Sequence, residues 1–141
     1  MLEMGAPGSM HENDISRIVV DAAIEVHRTL GGPGLLESVY EEALAWELID
    51  RGLHVQRQLE VPIRYKDRQL AAPLKLDLLV NGKVIIEVKA VALYNKIFEA
   101  QALTYLRLMD LRLALVINFG EVRVGNGTHR VVNRLDDSRY F

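Results

Sequence analysis

Two acids and a lysine lie within two neighbouring segments that, apart from the lysine that begins each, read as apolar strands. Asp77 is in the segment KLDLLV, and Glu87 and Lys89 are in the segment KVIIEVKAV. Two carboxylates supply the hard oxygen ligands that Mg²⁺ prefers, and a lysine supplies a positive charge beside them. A charge inside an apolar strand is costly unless it is paired or bound to a metal. The combination therefore indicates a divalent-metal site, and a solvated strand face with an ordinary ion pair is the alternative interpretation.

The turn between the two strands decides whether the acids share a face. Even-numbered positions in both strands are apolar, which predicts that both strands turn these positions into one core. A plain two-residue turn at Asn81-Gly82 would then put Asp77 and Glu87 on opposite faces. We therefore expect an odd loop or a bulge, with a three-residue loop ending at Gly82 as the preferred form. This loop places Asp77 opposite Ile85, with Glu87 on the diagonal about 7–8 Å away.

Other polar residues can complete such a site. Lys89 shares a strand face with Glu87, where its charge can orient a water or offset charge on a phosphate. Gln101 and Tyr105 are four residues apart on one face of a predicted helix, and both can hold Lys89 or a nucleic-acid backbone. A core position for Tyr105 with Gln101 at its rim is the alternative. Glu37 lies in the first turn of another predicted helix, where the helix dipole by itself favours an acid.

The elements that position these residues follow from the spacing of apolar side chains. Apolar residues that recur every three to four positions predict helices. Alternation of apolar and polar residues, or a short run of apolar residues, predicts a strand. A strand, helix and strand in succession form a right-handed crossover, so the last two long strands should be parallel. The predicted order is helix 13–30, helix 36–51, strand 54–65, a strand ending at residue 80, strand 83–91, helix 95–110, strand 111–118 and a short hairpin around residues 125–127.

Composition narrows the class of protein. The 141 residues fit one domain, and 17 Lys and Arg against 19 Asp and Glu give a net charge of -2, unlike a nucleic-acid coat protein. The absence of cysteine excludes disulfides, cysteine nucleophiles and cysteine-ligated clusters. A chain without cysteine suits the reducing cytosol, so we expect a cytoplasmic protein. No apolar run approaches the roughly 18 residues of a membrane span, so we expect no membrane contact. Residues 1–9 resemble the remnant of an expression vector, and residues 10–141 are the expected single domain.

Short motifs in a fixed order resemble the PD-(D/E)XK nuclease superfamily, and within it the GxxExxY family. The naming motif of that family reads GLLESVY here, from Gly34 to Tyr40. The resemblance extends from Glu12 to Val132 through AIEVHRTLG, KLDLLV, IIEVKAV, AQALTYL and LALVINFG. It implies an α/β, restriction-endonuclease-like core of helix, three strands, helix and strand. An extra N-terminal helix and a C-terminal hairpin would be added to that core.

The resemblance also implies a metal site. Asp77, Glu87 and the backbone carbonyl of Val88 are the implied ligands of Mg²⁺ or Mn²⁺. Glu37 corresponds to the acid of the first core helix and is both a catalytic candidate and a candidate ligand. His27 corresponds to an upstream metal-binding histidine of RecB-like relatives, with a place at a helix rim as the alternative.

The remaining implied roles concern the reaction. Lys89 would position the attacking water, and Gln101 and Tyr105 would orient Lys89 or the nucleic-acid strand. The expected function is metal-dependent hydrolysis of phosphodiester bonds in nucleic acid, with DNA favoured over RNA. A catalytically silent nuclease-fold module that acts with a partner protein is the alternative, and assembly as a homodimer is left open.

Overall fold

A five-stranded mixed sheet lies between helices on both of its faces in the computed structural model, which describes residues 10–136. The proposed vector remnant at residues 1–9 lies outside the described residues. Strand order in the sheet is β1-β4-β5-β6-β7, and β2 and β3 form a separate two-stranded ribbon. The elements are α1 (Glu12–Leu30), α2 (Glu37–Asp50), β1 (Val55–Val61), β2 (Arg64–Tyr65), β3 (Arg68–Gln69), β4 (Leu74–Val80), β5 (Val84–Lys89), α3 (Ile97–Met109), β6 (Leu113–Asn118), a 3-10 turn (Val124–Gly127) and β7 (Thr128–Val132).

Most of the predicted elements are confirmed. The three helices begin and end within two residues of their predicted bounds, and β5 and β6 are parallel neighbours on either side of the α3 crossover. The single long strand predicted over residues 54–65 is wrong, because it divides into β1 and β2 at Pro62. A proline has no N–H to donate to the neighbouring strand, so the ladder with β4 ends at Val61.

Each face of the sheet has its own apolar core. Helices α1 and α2 cover one face, and α3 covers the other. The apolar run of β6 is buried on both sides, since Leu113, Leu115 and Ile117 face α1 and α2 while Ala114 and Val116 face α3. Burial on both faces is what a continuous apolar strand predicts. Within residues 10–136, none of the helices has the length and apolar character needed to cross a membrane.

Strand β4 changes faces at Asp77. Leu78 packs in the core under α1 and α2, whereas Leu76 packs in the core under α3. The expectation that all even positions of β4 enter one core is therefore wrong. The cause lies across the ladder, where Gln58 of β1 has a left-handed backbone (φ 47°) and the pairing of β1 with β4 omits Gln58 and Asp77. The register is the same on both sides of this pair, so the interruption changes which positions face each core without inserting a residue.

Asn118 ties the chain that leaves β5 to the end of β6. Its fully buried side-chain oxygen accepts hydrogen bonds from the N–H groups of Val91 (2.9 Å) and Gly120 (3.0 Å), and its side-chain nitrogen donates to the Val91 carbonyl (3.0 Å). The Phe119 N–H donates to the Lys89 carbonyl at 2.8 Å. These bonds fix the backbone immediately after Lys89.

Replacement of Gly120 by alanine should lower the free energy of unfolding by about 1–3 kcal/mol. A Cβ atom at this position would lie 2.3 Å from the Val91 carbonyl oxygen, and backbone cannot move aside cheaply. Gly125→Ala is the matched control, because a Cβ there meets nothing within 4 Å. Urea unfolding of both variants measures the effect, and equal midpoints would contradict a close approach at Gly120.

Candidate active site

The β4–β5 hairpin has a three-residue loop, which confirms the predicted odd count. Asn81 and Gly82 are both left-handed (φ 51° and 65°), as the Asn-Gly turn requires, and Lys83 is an additional residue before pairing resumes at Val80 and Val84. The loop therefore lies one residue later than expected. The predicted pairing of Asp77 with Ile85 is wrong, since Ile85 pairs with Leu79 and the register brings Asp77 opposite Glu87.

Beyond Leu78 and Ile86 the two strands separate, and the two acids occupy the fork between them. The Asp77 N–H donates to the Glu87 carboxylate at 3.1 Å, and the Val88 N–H donates to the Asp77 carboxylate at 2.8 Å. Each acid thus accepts a hydrogen bond from the backbone of the opposite strand. These bonds replace the missing ladder and hold both carboxylates side by side.

The fork is an unfavourable place for negative charge. Only 8% of Glu87 is exposed. The pKa of Glu87 is raised to about 8, first by burial and then by the negative charge of Asp77, while the Asp77 N–H and Lys89 act in the opposite direction. A carboxyl group with this pKa holds a proton at neutral pH, and a bound cation would favour its ionised form.

A third acid, Glu41 of α2, belongs to the same electrostatic group. It is buried and accepts hydrogen bonds from the side chains of Gln58 (2.7 Å) and Arg57 (3.2 Å). Its pKa is raised first by burial and then by the charge of Asp77. Neighbouring side chains of a regular strand point to opposite faces, so the left-handed backbone at Gln58 explains how Arg57 and Gln58 both reach one carboxylate.

Glu37, the acid of the sequence motif, has a different environment. It is exposed, makes no side-chain hydrogen bond within residues 10–136, and borders a cavity of about 420 Å³ with Ala90, next to Lys89. The sequence contained a signal for Glu41, because this residue lies three and seven positions before Leu44 and Leu48 on the buried stripe of α2. An acid on that stripe needs polar partners in the interior.

The motif tyrosine, Tyr40, has a structural role. Its hydroxyl donates to the Gly32 carbonyl (2.7 Å) and accepts from the Leu35 N–H (3.1 Å), and its ring stacks on Phe119 at 4.7 Å between centroids. His27 packs beside these rings, with Nε2 3.2 Å from the Phe119 carbonyl oxygen. No interaction within the described part of the chain joins His27 to Asp77 or Glu87.

Lys89 lies between a carboxylate and an aromatic ring. Its ammonium is 4.5 Å from the centroid of the Phe98 ring, a distance typical of a cation–π contact, and its charge interacts with Glu87. Tyr105 is half-buried, and its pKa is raised by burial and then by the charges of Glu87 and Asp77. The predicted helix face therefore brings Tyr105 toward the acids. Gln101 is exposed and makes no hydrogen bond within residues 10–136.

The donor set suits a cation that keeps part of its water shell. Across residues 10–136, no three Asp, Glu or His side chains converge into a ready-made set of metal ligands. Mg²⁺ requires only one or two carboxylates and retains waters in its other positions. Asp77 and Glu87 meet that requirement, since they bring two carboxyl groups side by side and a bound divalent cation would favour the ionised form of both.

The fold agrees with the family that the chain matches. The family model of the PD-(D/E)XK nuclease superfamily matches residues 13–131, and the chain belongs to this superfamily. Among solved structures, the chain is similar to the crystal structure of SSO0001, with 13% identity and a TM-score of 0.47 over 89% of this chain and 81% of that chain. No curated protein matches the sequence.

The raised pKa of Glu87 predicts a pH-dependent stability. Without divalent cations, the folded protein binds one more proton at Glu87 than the unfolded chain between pH 4.5 and about 8. The free energy of unfolding should therefore fall as pH rises through this range. Glu87→Gln should flatten the fall, whereas Glu42→Gln, at an exposed position on α2, should leave it in place. Denaturant unfolding in EDTA measures both, and parallel profiles for the two variants would contradict the assignment.

Proposed function

We propose that this protein is a metal-dependent nuclease that hydrolyses phosphodiester bonds in DNA, and that it is a GxxExxY member of its superfamily. One observation carries the proposal: the buried carboxylate of Glu87 and the half-buried carboxylate of Asp77 share a fork in the sheet, with a lysine two residues beyond Glu87. Such a buried acidic group reduces stability, which is expected of a site kept for function rather than for the fold. Membership of a nuclease superfamily supports the same conclusion.

In this proposal Asp77, Glu87 and the Val88 carbonyl hold Mg²⁺ or Mn²⁺. When bound, the ion lowers the pKa of a water and offsets negative charge on the phosphate. The backbone hydrogen bonds from Asp77 and Val88 to the carboxylates keep these ligands in place before substrate arrives. Preorganisation of this kind limits the rearrangement needed during reaction.

The other residues act on the water and the phosphate. Hydrolysis adds a water oxygen to phosphorus and breaks one P–O bond, so negative charge grows on the phosphate as the water loses its proton. Lys89 orients the water and offsets that charge, and the Phe98 ring limits the positions its ammonium can take. Tyr105 and Gln101 orient Lys89 or the DNA strand from α3. Burial, and then the charges of Glu87 and Asp77, raise the pKa of Tyr105, so its hydroxyl keeps its proton and can donate.

Two acids of α2 have separate proposed roles. Glu41 acts from within the site, where Gln58 and Arg57 hold its carboxylate, as an acceptor for waters around the ion. Glu37 assists from the rim near Ala90, through a water or a second ion. The alternative, a catalytically silent module that binds a partner protein, does not account for the acids at the fork, because binding a partner does not require them there.

The ligand roles predict how metal binding responds to substitution. Asp77→Ala should abolish site-specific binding of Mn²⁺, because it removes an anionic ligand and a hydrogen-bond acceptor of the fork. Lys89→Ala should retain binding, since an ammonium has no acceptor and cannot ligate a metal. Isothermal titration calorimetry with Mn²⁺ measures both, with Asp50→Ala at the exposed end of α2 as the control. Equal heats for Asp77→Ala and the control would refute the site.

The proposed role of Lys89 predicts a specific loss of rate. Lys89→Ala should lower the rate of DNA cleavage by about 10²–10³, the effect of removing one preorganised charge. Lys89→Arg should rescue little, because a planar guanidinium does not reproduce a compact ammonium. Initial rates on labelled single-stranded, double-stranded and flapped DNA with Mn²⁺ measure the loss. Wild-type rates for Lys89→Ala would contradict this mechanism, and a wild type inactive on every substrate would favour the silent module.

A further inference from the structure

The ribbon formed by β2 and β3 lies in a locally basic part of a chain whose net charge is negative. Residues 62–75 contain four Lys or Arg and one acid, a net charge of +3, which leaves -5 for the rest of the chain. Arg64, Lys66 and Arg68 are exposed, and so is Tyr65, at 61%. The basic residues cluster at the tip, where Arg64 and Arg68 flank the Lys66-Asp67 turn.

The ribbon projects from the end of the sheet at which the proposed active site opens. It prolongs the β1–β4 pair beyond the pairing of Val61 with Leu74, and the Leu70 N–H donates to the Ile63 carbonyl (2.8 Å) to continue the ladder. Because β4 and β5 are antiparallel, the beginning of β4 and the end of β5 lie at the same end of the sheet. Lys89 is the last residue of β5.

The contacts within the ribbon keep its shape and leave its charges available. The Arg64 guanidinium donates to the Asp67 carbonyl (2.9 Å) across the turn, and the Lys66 ammonium lies 5.4 Å from the centroid of the Tyr65 ring. No acidic side chain within residues 10–136 forms a salt bridge with Lys66 or Arg68. By contrast, Arg51 and Arg112 at the opposite end of the sheet are paired with acids.

We propose that the β2–β3 ribbon is a DNA-binding arm that enters the major groove of a duplex and contacts its phosphates through Lys66 and Arg68. The proposal rests on the proposed function and identifies how the substrate is held. A two-stranded ribbon fits the major groove of B-form DNA, whereas the major groove of A-form RNA is too narrow for side chains. The arm also explains how an acidic chain can bind a polyanion, because its positive charge is concentrated beside the site.

The salt dependence of binding tests the arm. A labelled duplex DNA is titrated by fluorescence anisotropy at 50 to 200 mM salt with Mg²⁺, in the Lys89→Ala background to prevent cleavage. Each lost phosphate contact should reduce the log–log salt slope by about 0.9, so Lys66→Ala/Arg68→Ala should reduce it by about 1.8 and weaken binding. Arg51→Ala/Arg112→Ala removes the same charge at the other end of the sheet and should leave the slope unchanged.

The outcomes separate the arm from the proposed nuclease activity. An unchanged salt slope in the arm variant, or equal losses of slope in both double variants, would refute the DNA-binding arm. DNA cleavage by the wild-type protein would still support the proposed nuclease function. Equally tight binding of a double-stranded RNA would overturn the major-groove assignment. When Lys66→Ala/Arg68→Ala is made in the protein that retains Lys89, this variant should cleave duplex DNA with a raised KM and an unchanged kcat. A parent protein that neither binds nor cleaves DNA would overturn the proposed function together with the arm.

Discussion

The exchange of hydrogen bonds between Asp77 and the residues opposite it is the interaction on which the rest of the site depends. Where β4 and β5 separate, two backbone N–H groups lose their ladder partners, and a buried N–H without a partner is costly. The carboxylates of Asp77 and Glu87 accept those hydrogen bonds. The same contacts therefore stabilise the open end of the hairpin and bring two carboxyl groups together at the fork.

Polar and charged groups on the surrounding elements reduce the free-energy cost of placing acids at the fork. Arg57 and Gln58 hold Glu41 on one side, and Lys89 stands beside Glu87 with its ammonium over Phe98. Most of the sheet is apolar on both faces, so the fork is a local polar opening in a stable core. Stability in the rest of the fold allows a strained, charged site to persist.

The sequence predicted the elements well because apolar periodicity records which faces are buried. It also predicted the odd loop, since alternation in two strands constrains how they can be joined. It did not predict the register, because the extra residue can lie at either end of the Asn81-Gly82 turn. The two halves of β4 face different cores at the position opposite Gln58, which is distant in sequence. Gln58 has a left-handed backbone, and nothing about a glutamine in the sequence predicts that conformation. Motif position drew attention to Glu37, whereas burial and polar partners distinguish Glu41.

The proposed function requires that Asp77 and Glu87 together form a divalent-cation site at the fork of β4 and β5. Anomalous diffraction at the manganese edge, from crystals of the full chain soaked in MnCl₂, tests it most directly because it locates the ion without reference to activity. We expect one strong peak within bonding distance of both carboxylates, about 2.0–2.3 Å from their nearest oxygens. A fork without a peak, in crystals that show manganese bound elsewhere on the chain, would contradict it.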